Sequence, residues 1–183
     1  MASQPLKGVR VLDLSRVLAG PWCTQQLADL GAEVIKIEKP ATGDDTRSWG
    51  PPWLENTQES AYFLSANRGK KSVAIDSASP KGQELIYSLL ERCDLLVENF
   101  KVGGLKKYGL DYASIKARKP DIIYCSITGF GQTGTYAKLA GYDFMIQGMG
   151  GLMSLTGQPD TEAGGGPVKV GVAFADIFTG LYA

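Results

Sequence analysis

The sequence predicts an α/β domain: a Rossmann-like parallel sheet with helices on both faces. Three observations carry that expectation. Five short runs rich in Val and Ile read as strands: VRVLDL (9–14), EVIKIE (33–38), KSVAID (71–76), DLLVEN (94–99) and DIIYCSI (121–127). Helical patterns fall between them, and strand–helix–strand alternation favours a parallel sheet covered on both sides. Hydrophobic residues make up 44% and charged residues 21%, a globular balance, and 183 residues suffice for one domain with a real core.

The elements follow in order. After the first strand, Pro21 suits the first turn of a helix that carries Cys23, Leu27 and Leu30 on one face, with Gly31 ending it. Residues 40–60 form a long polar loop with three prolines and two tryptophans, of the kind that is functional or ordered by a partner. Ser79-Pro80 opens a second helix with Leu85, Ile86, Leu89, Leu90 and Cys93 on its core side. Residues 156–167 read as a flexible Gly-rich connection. The last segment, VKVGVAFADIFTGLYA, places Asp176 just ahead of a helical pattern and among apolar neighbours, where an unpaired carboxylate is costly to bury.

Composition excludes several function classes. Lys+Arg and Asp+Glu are equal at 19 each, so nothing favours nucleic acid or another polyanion. The start, MASQPLKGVRV, has no targeting leader, and no apolar run reaches the roughly 18 residues of a membrane span. Cys23, Cys93 and Cys125 are unpaired in pattern and read as reduced core thiols, which implies a cytoplasmic location. There is no histidine, which removes the Ser-His-Asp triad, the Cys-His dyad and most zinc sites. No metal is implied.

Five features remain as candidate chemistry. GFGQTG (129–134) fits a dinucleotide fingerprint, but it does not follow the first strand and no acid lies about 20 positions on, so a Gly-rich turn or cofactor-facing loop is the better reading. NRGKK (67–71) is either a solvated turn or a phosphate clamp. Lys39, Lys106 and Lys107 lie near carboxyl ends of strands, the edge where α/β sheets bind ligands. Asp44-Asp45 with Arg47 reads as a loop-ordering ion pair or a carboxylate pair. Asp176 reads as a helix cap, with helix N–H groups lowering its pKa and keeping it ionised as a nucleophile that needs no histidine.

Taken together, PLKGVRVLDLSRVLAGP, DLGAEVIKIEKP, GDDTRSWGPP, NRGKKSVAID, VENF, YCSITGFGQTG, AGYD and GVAFADIFTGLYA resemble, in order and spacing, the family III CoA-transferases. The resemblance implies that Asp176 is the catalytic aspartate. It would attack an acyl-CoA to give a mixed anhydride, then carry CoA as an aspartyl thioester until an acceptor acid attacks. It also implies CoA contacts from Lys39, from Asn67, Arg68, Lys70, Lys71 and Ser72, and from Asn99, Phe100, Lys107 and Tyr108. Ala19 would lie beside the thioester and Tyr142 would be an aromatic active-site position. Coenzyme A is then a substrate, with no permanently bound cofactor.

Family relatives are roughly twice as long and form interlocked homodimers. The chain is therefore expected to be the N-terminal portion of the large CoA-binding domain, residues 1–183, without the small domain and C-terminal helices, and inactive alone with apolar surface uncovered. Leu18 stands where formyl-CoA transferases have glutamine, and GDDTRSWGPP resembles the branch that uses small dicarboxylic acids. Two alternatives stay open. One is a non-catalytic CoA-binding module. The other is an acyl-CoA racemase relative, although Tyr142 replaces the racemase histidine.

Overall fold

In a computed structural model that describes residues 4–183, the five Val- and Ile-rich runs form one parallel sheet. The strands are β1 (Arg10–Asp13), β2 (Glu33–Glu38), β3 (Lys71–Ala74), β4 (Leu95–Glu98) and β5 (Ile123–Ser126), in spatial order β3-β2-β1-β4-β5. Leu12 lies in register with Ile35 on one side and Leu96 on the other. The chain builds outward from β1 to β3, then returns to place β4 on the opposite flank. That reversal between β1 and β4 is the topological switch point, where open α/β sheets bind ligands beyond the carboxyl ends of their strands.

Alternation along each strand splits the core in two. Val11, Val34 and Val97 face one side and pack with Ala19 and Cys23 of α1 (Ala19–Asp29). Leu12 and Leu96 face the other and pack with Ile86 and Leu90 of α3 (Pro80–Leu90) and Ile115 of α4 (Tyr112–Arg118). The expected start and stop of α1 and the expected start of α3 are present, although Leu85, expected on the core side of α3, is exposed. Gly31 follows α1 at φ +103°, and the Ser79 hydroxyl accepts from the Gly82 N–H at 3.0 Å to cap α3.

Four helices had no counterpart in the sequence analysis: α2 (Ala61–Ala66), α4, α5 (Asp143–Met149) and α6 (Leu152–Thr156). Each has five to seven residues, too short for a helical period to stand out. The final helix, α7 (Phe174–Tyr182), packs on α1. Gly180 makes that approach possible, because a Cβ there would sit 2.5 Å from the Ala19 carbonyl oxygen.

The loop after β2 is ordered from inside the protein. Lys36 meets Asp44 at 2.9 Å with both side chains buried, and Arg47 meets Glu38 at 2.7 Å. Asp44 caps a 3₁₀ turn over Asp45–Ser48, and Trp53 bridges to Ser60. The Gly-rich connection is folded back on itself by a bridge between Gln158 and Gly166. Cys23 and Cys93 are buried, Cys125 is half-buried, and all three are free. Among the described residues, no helix is long and apolar enough to cross a membrane.

Candidate active site

The carboxyl ends of β1, β2 and β4 each carry a buried acid, Asp13, Glu38 and Glu98. Their partners show what this edge needs. Asp13 accepts from Ser15 and Thr24 and meets the Lys70 ammonium at 3.1 Å. Burial opposes ionisation of Glu38, but Arg47, Ser72 and the Asp44 N–H hold its pKa down at about 2. Glu98 accepts from Ser126 and from the Phe100 N–H, while burial pushes its carboxyl upward. These groups are braces for the loops above them.

Two clefts open over that edge. The larger, about 610 Å³, lies above β2 and β3 and includes Lys39, Tyr108 and the stretch 75–78. Its size falls in the ordinary range for small-molecule sites. The smaller, about 270 Å³, lies above β4 and β5 and is bounded by Val17, Ala19, Asn99, Tyr142 and Asp176. Arg16 and Phe100 line both, so the clefts adjoin, and the Arg16 guanidinium stands 5.6 Å from the Phe100 ring centre.

Asp176 enters the smaller cleft from the first turn of α7. It is not the cap of that helix. Its N-terminus is capped across the fold by Asp143, which accepts from the N–H groups of Ala175 at 2.8 Å and Asp176 at 3.3 Å. Asp143 in turn accepts from buried Gln147 at 2.7 Å, and Gln147 also fastens Val170 and Val172, the strap that leads into α7. The spacing Asp143 to Gln147 is one helical turn, so one face of α5 fixes where Asp176 stands.

This corrects the expected electrostatics. Helix N–H groups were expected to lower the Asp176 pKa, but burial, and then the neighbouring Asp143 carboxylate, raise it to about 6. Two acids share one helix start, and Asp143 takes its hydrogen bonds. The consequence is useful: at neutral pH Asp176 is still ionised by about ten to one, but is more basic than an ordinary carboxylate. Tyr62, on α2, feels the same charges; burial first, then Asp176, Asp143 and Asp44, push its hydroxyl upward.

Close backbone contact forms the opposite wall. A Cβ on Gly129 would lie 2.2 Å from the Gly141 Cα, so the GFGQTG turn touches the AGYD segment and no side chain fits between. Asn99 braces the loop after β1, donating to the Arg16 carbonyl at 2.6 Å and accepting from its N–H at 2.9 Å.

The sequence model for CoA-transferase family III matches residues 6–183. The chain belongs to CoA-transferase family III. It is 56% identical over 182 residues to succinate–glutarate CoA-transferase of Agrobacterium fabrum, with 97% of this chain and 44% of that protein covered. It is 53% identical to succinyl-CoA:glutarate CoA-transferase of Homo sapiens, with 98% and 40% covered. Among solved structures, a CaiB/BaiF family protein from Brucella suis superposes with a TM-score of 0.91 at 60% identity, covering 99% of this chain and 47% of that one. The chain thus spans less than half the length of these relatives.

Within this family III chain, the expected contact residues separate into two groups. Ala19, Asn99, Phe100, Tyr142 and Asp176 come together at the smaller cleft; Lys39, Phe100 and Tyr108 lie along the larger. Lys107 lies just outside, its ammonium 4.6 Å from the Tyr108 ring centre. The NRGKK cluster lines neither cleft. Arg68 pairs with Asp29 at 2.5 Å, Lys71 pairs with Glu33 at 2.5 Å, and Ser72 donates to Glu38. Lys70 is buried against Asp13, the Pro21 carbonyl and Asn67; desolvation lowers its pKa to about 8. Topology accounts for these partners. NRGKK precedes β3, so Arg68 and Gly69 fall beside the end of α1, whereas residues after β3 reach the ligand edge.

Asp143 and Gln147 were not among the sequence candidates. Asp143 adjoins Tyr142 in AGYD, and its four-residue spacing to Gln147 was the available signal. Asp44 and Arg47 are neighbours that pair with different partners, Lys36 and Glu38, which answers the carboxylate-pair question in favour of loop ordering.

Proposed function

We propose that the full-length protein moves CoA from an acyl-CoA thioester to a free carboxylic acid, with small dicarboxylic acids such as succinate and glutarate as its substrates. One observation carries this reading: Asp176 presents a half-buried, largely ionised carboxylate to a cleft that adjoins a larger groove at the switch point of the sheet. The activities for which the two relatives above are named suggest the acids.

The covalent steps balance with one nucleophile. The Asp176 carboxylate attacks the thioester carbonyl, releasing CoA thiolate and leaving an acyl–aspartyl anhydride. The thiolate attacks the aspartyl carbonyl, giving an aspartyl-CoA thioester and free donor acid. The acceptor carboxylate then opens that thioester, and the released thiolate takes the acceptor acyl group and frees Asp176. Splitting the exchange this way preserves thioester energy and avoids water. Lys39, Phe100 and Tyr108 line the groove that would take the body of CoA, Lys107 stands beside it, and Ala19, Asn99 and Tyr142 surround the reacting end. No step requires a metal or a resident cofactor.

The segment by itself is inactive in this account, because residues beyond it complete the site. Ile123 on β5, Leu155 and Tyr182 are 65%, 83% and 88% exposed, apolar surface that the remaining chain or the second subunit of a homodimer would cover. The working location is the cytoplasm.

The direct test is intact-protein mass after mixing full-length protein with succinyl-CoA, beside an Asp176→Ala control. The reading predicts a hydroxylamine-sensitive, CoA-sized adduct only with Asp176 present. CoA binding with no adduct would instead support the binding-module reading.

A further inference from the structure

The loop that separates β1 from α1 contains a residue in a costly conformation. Val17 has φ +69°, in the left-handed region that a β-branched residue enters only under constraint. Leu18 and Ala19 follow it directly, and Val17, Leu18 and Ala19 all line the Asp176 cleft. Such a conformation persists where surrounding structure over-determines it, and here four buried or half-buried side chains do so.

Each fixes a different backbone group. Asp13 accepts from the Ser15 N–H at 2.9 Å, Lys36 donates to the Ser15 carbonyl at 2.8 Å, and Asn99 holds both polar groups of Arg16. The Val17 N–H itself is shared between the two carboxylate oxygens of Asp44, at 3.2 and 3.3 Å. Asp44 also meets Lys36 at 2.9 Å and accepts from Thr46, and both members of the pair are essentially solvent-free. Replacing such a pair by apolar residues is often neutral or stabilising, so its presence at a strained loop calls for another role.

We propose that the buried Lys36–Asp44 pair is a positioning device: it holds Val17 in the left-handed conformation and thereby sets the Leu18–Ala19 wall against which an acyl-CoA is seated beside Asp176. Asp44 borders the larger cleft, but its effect on the reacting end runs through Val17. Gly180 supports the arrangement from the other side, since its missing Cβ lets α7 rest on the Ala19 carbonyl and keeps the wall and the nucleophile in register. This inference rests on the CoA-transfer reading above for its kinetic consequence, but not for its structural one.

The test is a coupled pair of substitutions in the full-length protein. Glycine enters the left-handed region about as readily as the right-handed one. Asp44→Asn is therefore expected to slow single-turnover CoA-adduct formation about 10–100-fold when Val17 is present, and by less than about threefold in a Val17→Gly background. CoA affinity is measured in parallel, because Lys36 and Asp44 also border the larger cleft; rescue by Val17→Gly separates positioning from a lost CoA contact. Because Asp44→Asn alone leaves Lys36 buried without its partner, Lys36→Met/Asp44→Leu is measured in parallel with the same expectation and without the orphaned charge.

Amide hydrogen exchange over residues 15–20 gives a second readout that needs no activity: protection falls in the Asp44 variants, which weaken or lose the acceptor of the Val17 N–H. Equal slowing in both Val17 backgrounds, or unchanged protection in the Asp44 variants, overturns the proposal. Absence of any adduct in the unsubstituted protein defeats the CoA-transfer reading instead, while the exchange data still decide the positioning role.

Discussion

Asp143 and Asp176 share the start of one helix: the first accepts the N–H groups of Ala175 and Asp176, and the second is left to face the cleft. A carboxylate that would ordinarily profit from the helix terminus is thereby denied its hydrogen bonds and given a like charge instead. Burial and that charge raise its pKa to about 6. The arrangement makes an aspartate basic enough to be a competent nucleophile and still mostly ionised at neutral pH.

Asp143→Asn tests this directly. Asparagine retains an oxygen that can accept from Ala175 and Asp176, but removes the charge. The acidic limb of CoA-adduct formation, set near pH 6 by Asp176, is expected to shift to lower pH. Rates measured from pH 4 to 8 check it, and an unmoved limb assigns the raised pKa to burial alone.

Stability should show the same group with the opposite sign from most acids. Between the ordinary value of 3.8 and about 6, the folded protein binds more protons at Asp176 than the unfolded chain does. Stability therefore falls as pH rises through that window. Asp176→Asn should raise the melting temperature at pH 7 relative to the unsubstituted protein, with the difference vanishing near pH 4. Calorimetry at the two pH values decides.

Gly180→Ala sets two effects against each other. Helix propensity favours alanine by about 1 kcal/mol, but the added carbon would stand 2.5 Å from the Ala19 carbonyl oxygen, a backbone clash. Overpacking of this kind costs about 1–3 kcal/mol, so a net loss in urea denaturation is expected, with slower adduct formation as α7 is displaced.

The two lysine groups should separate cleanly. Lys70→Met leaves Asp13 buried without its cation, and losing one member of such a pair costs about 3–5 kcal/mol. Lys39→Ala, an exposed residue along the larger cleft, should leave stability within about 0.5 kcal/mol and weaken CoA binding. Chemical denaturation and calorimetric titration with CoA together measure both.

The strands were legible because Val- and Ile-rich runs in a doubly covered sheet need few competing explanations. Pro21, Gly31 and Ser79 marked helix ends for the same local reason. What was not legible depended on topology. NRGKK reads as either a turn or a clamp until β3 is placed with its amino end beside α1, where Lys70 turns inward to Asp13 while residues 75–78 line the larger cleft. Asp176 looks like a cap until α5 brings Asp143 to the same helix end from 33 residues away. Val17 gave no signal, because its conformation is imposed by Asp44, 27 positions later.

The central claim, that Asp176 is the covalent carrier, is tested most directly by oxygen transfer. Full-length protein is turned over with succinyl-CoA and glutarate whose carboxylates carry heavy oxygen, and the peptide containing Asp176 is then weighed. The anhydride route predicts that one labelled oxygen from the acceptor acid appears in the Asp176 carboxyl group after a single turnover, and that repeated turnover labels both. Turnover with no label in that peptide would contradict the account.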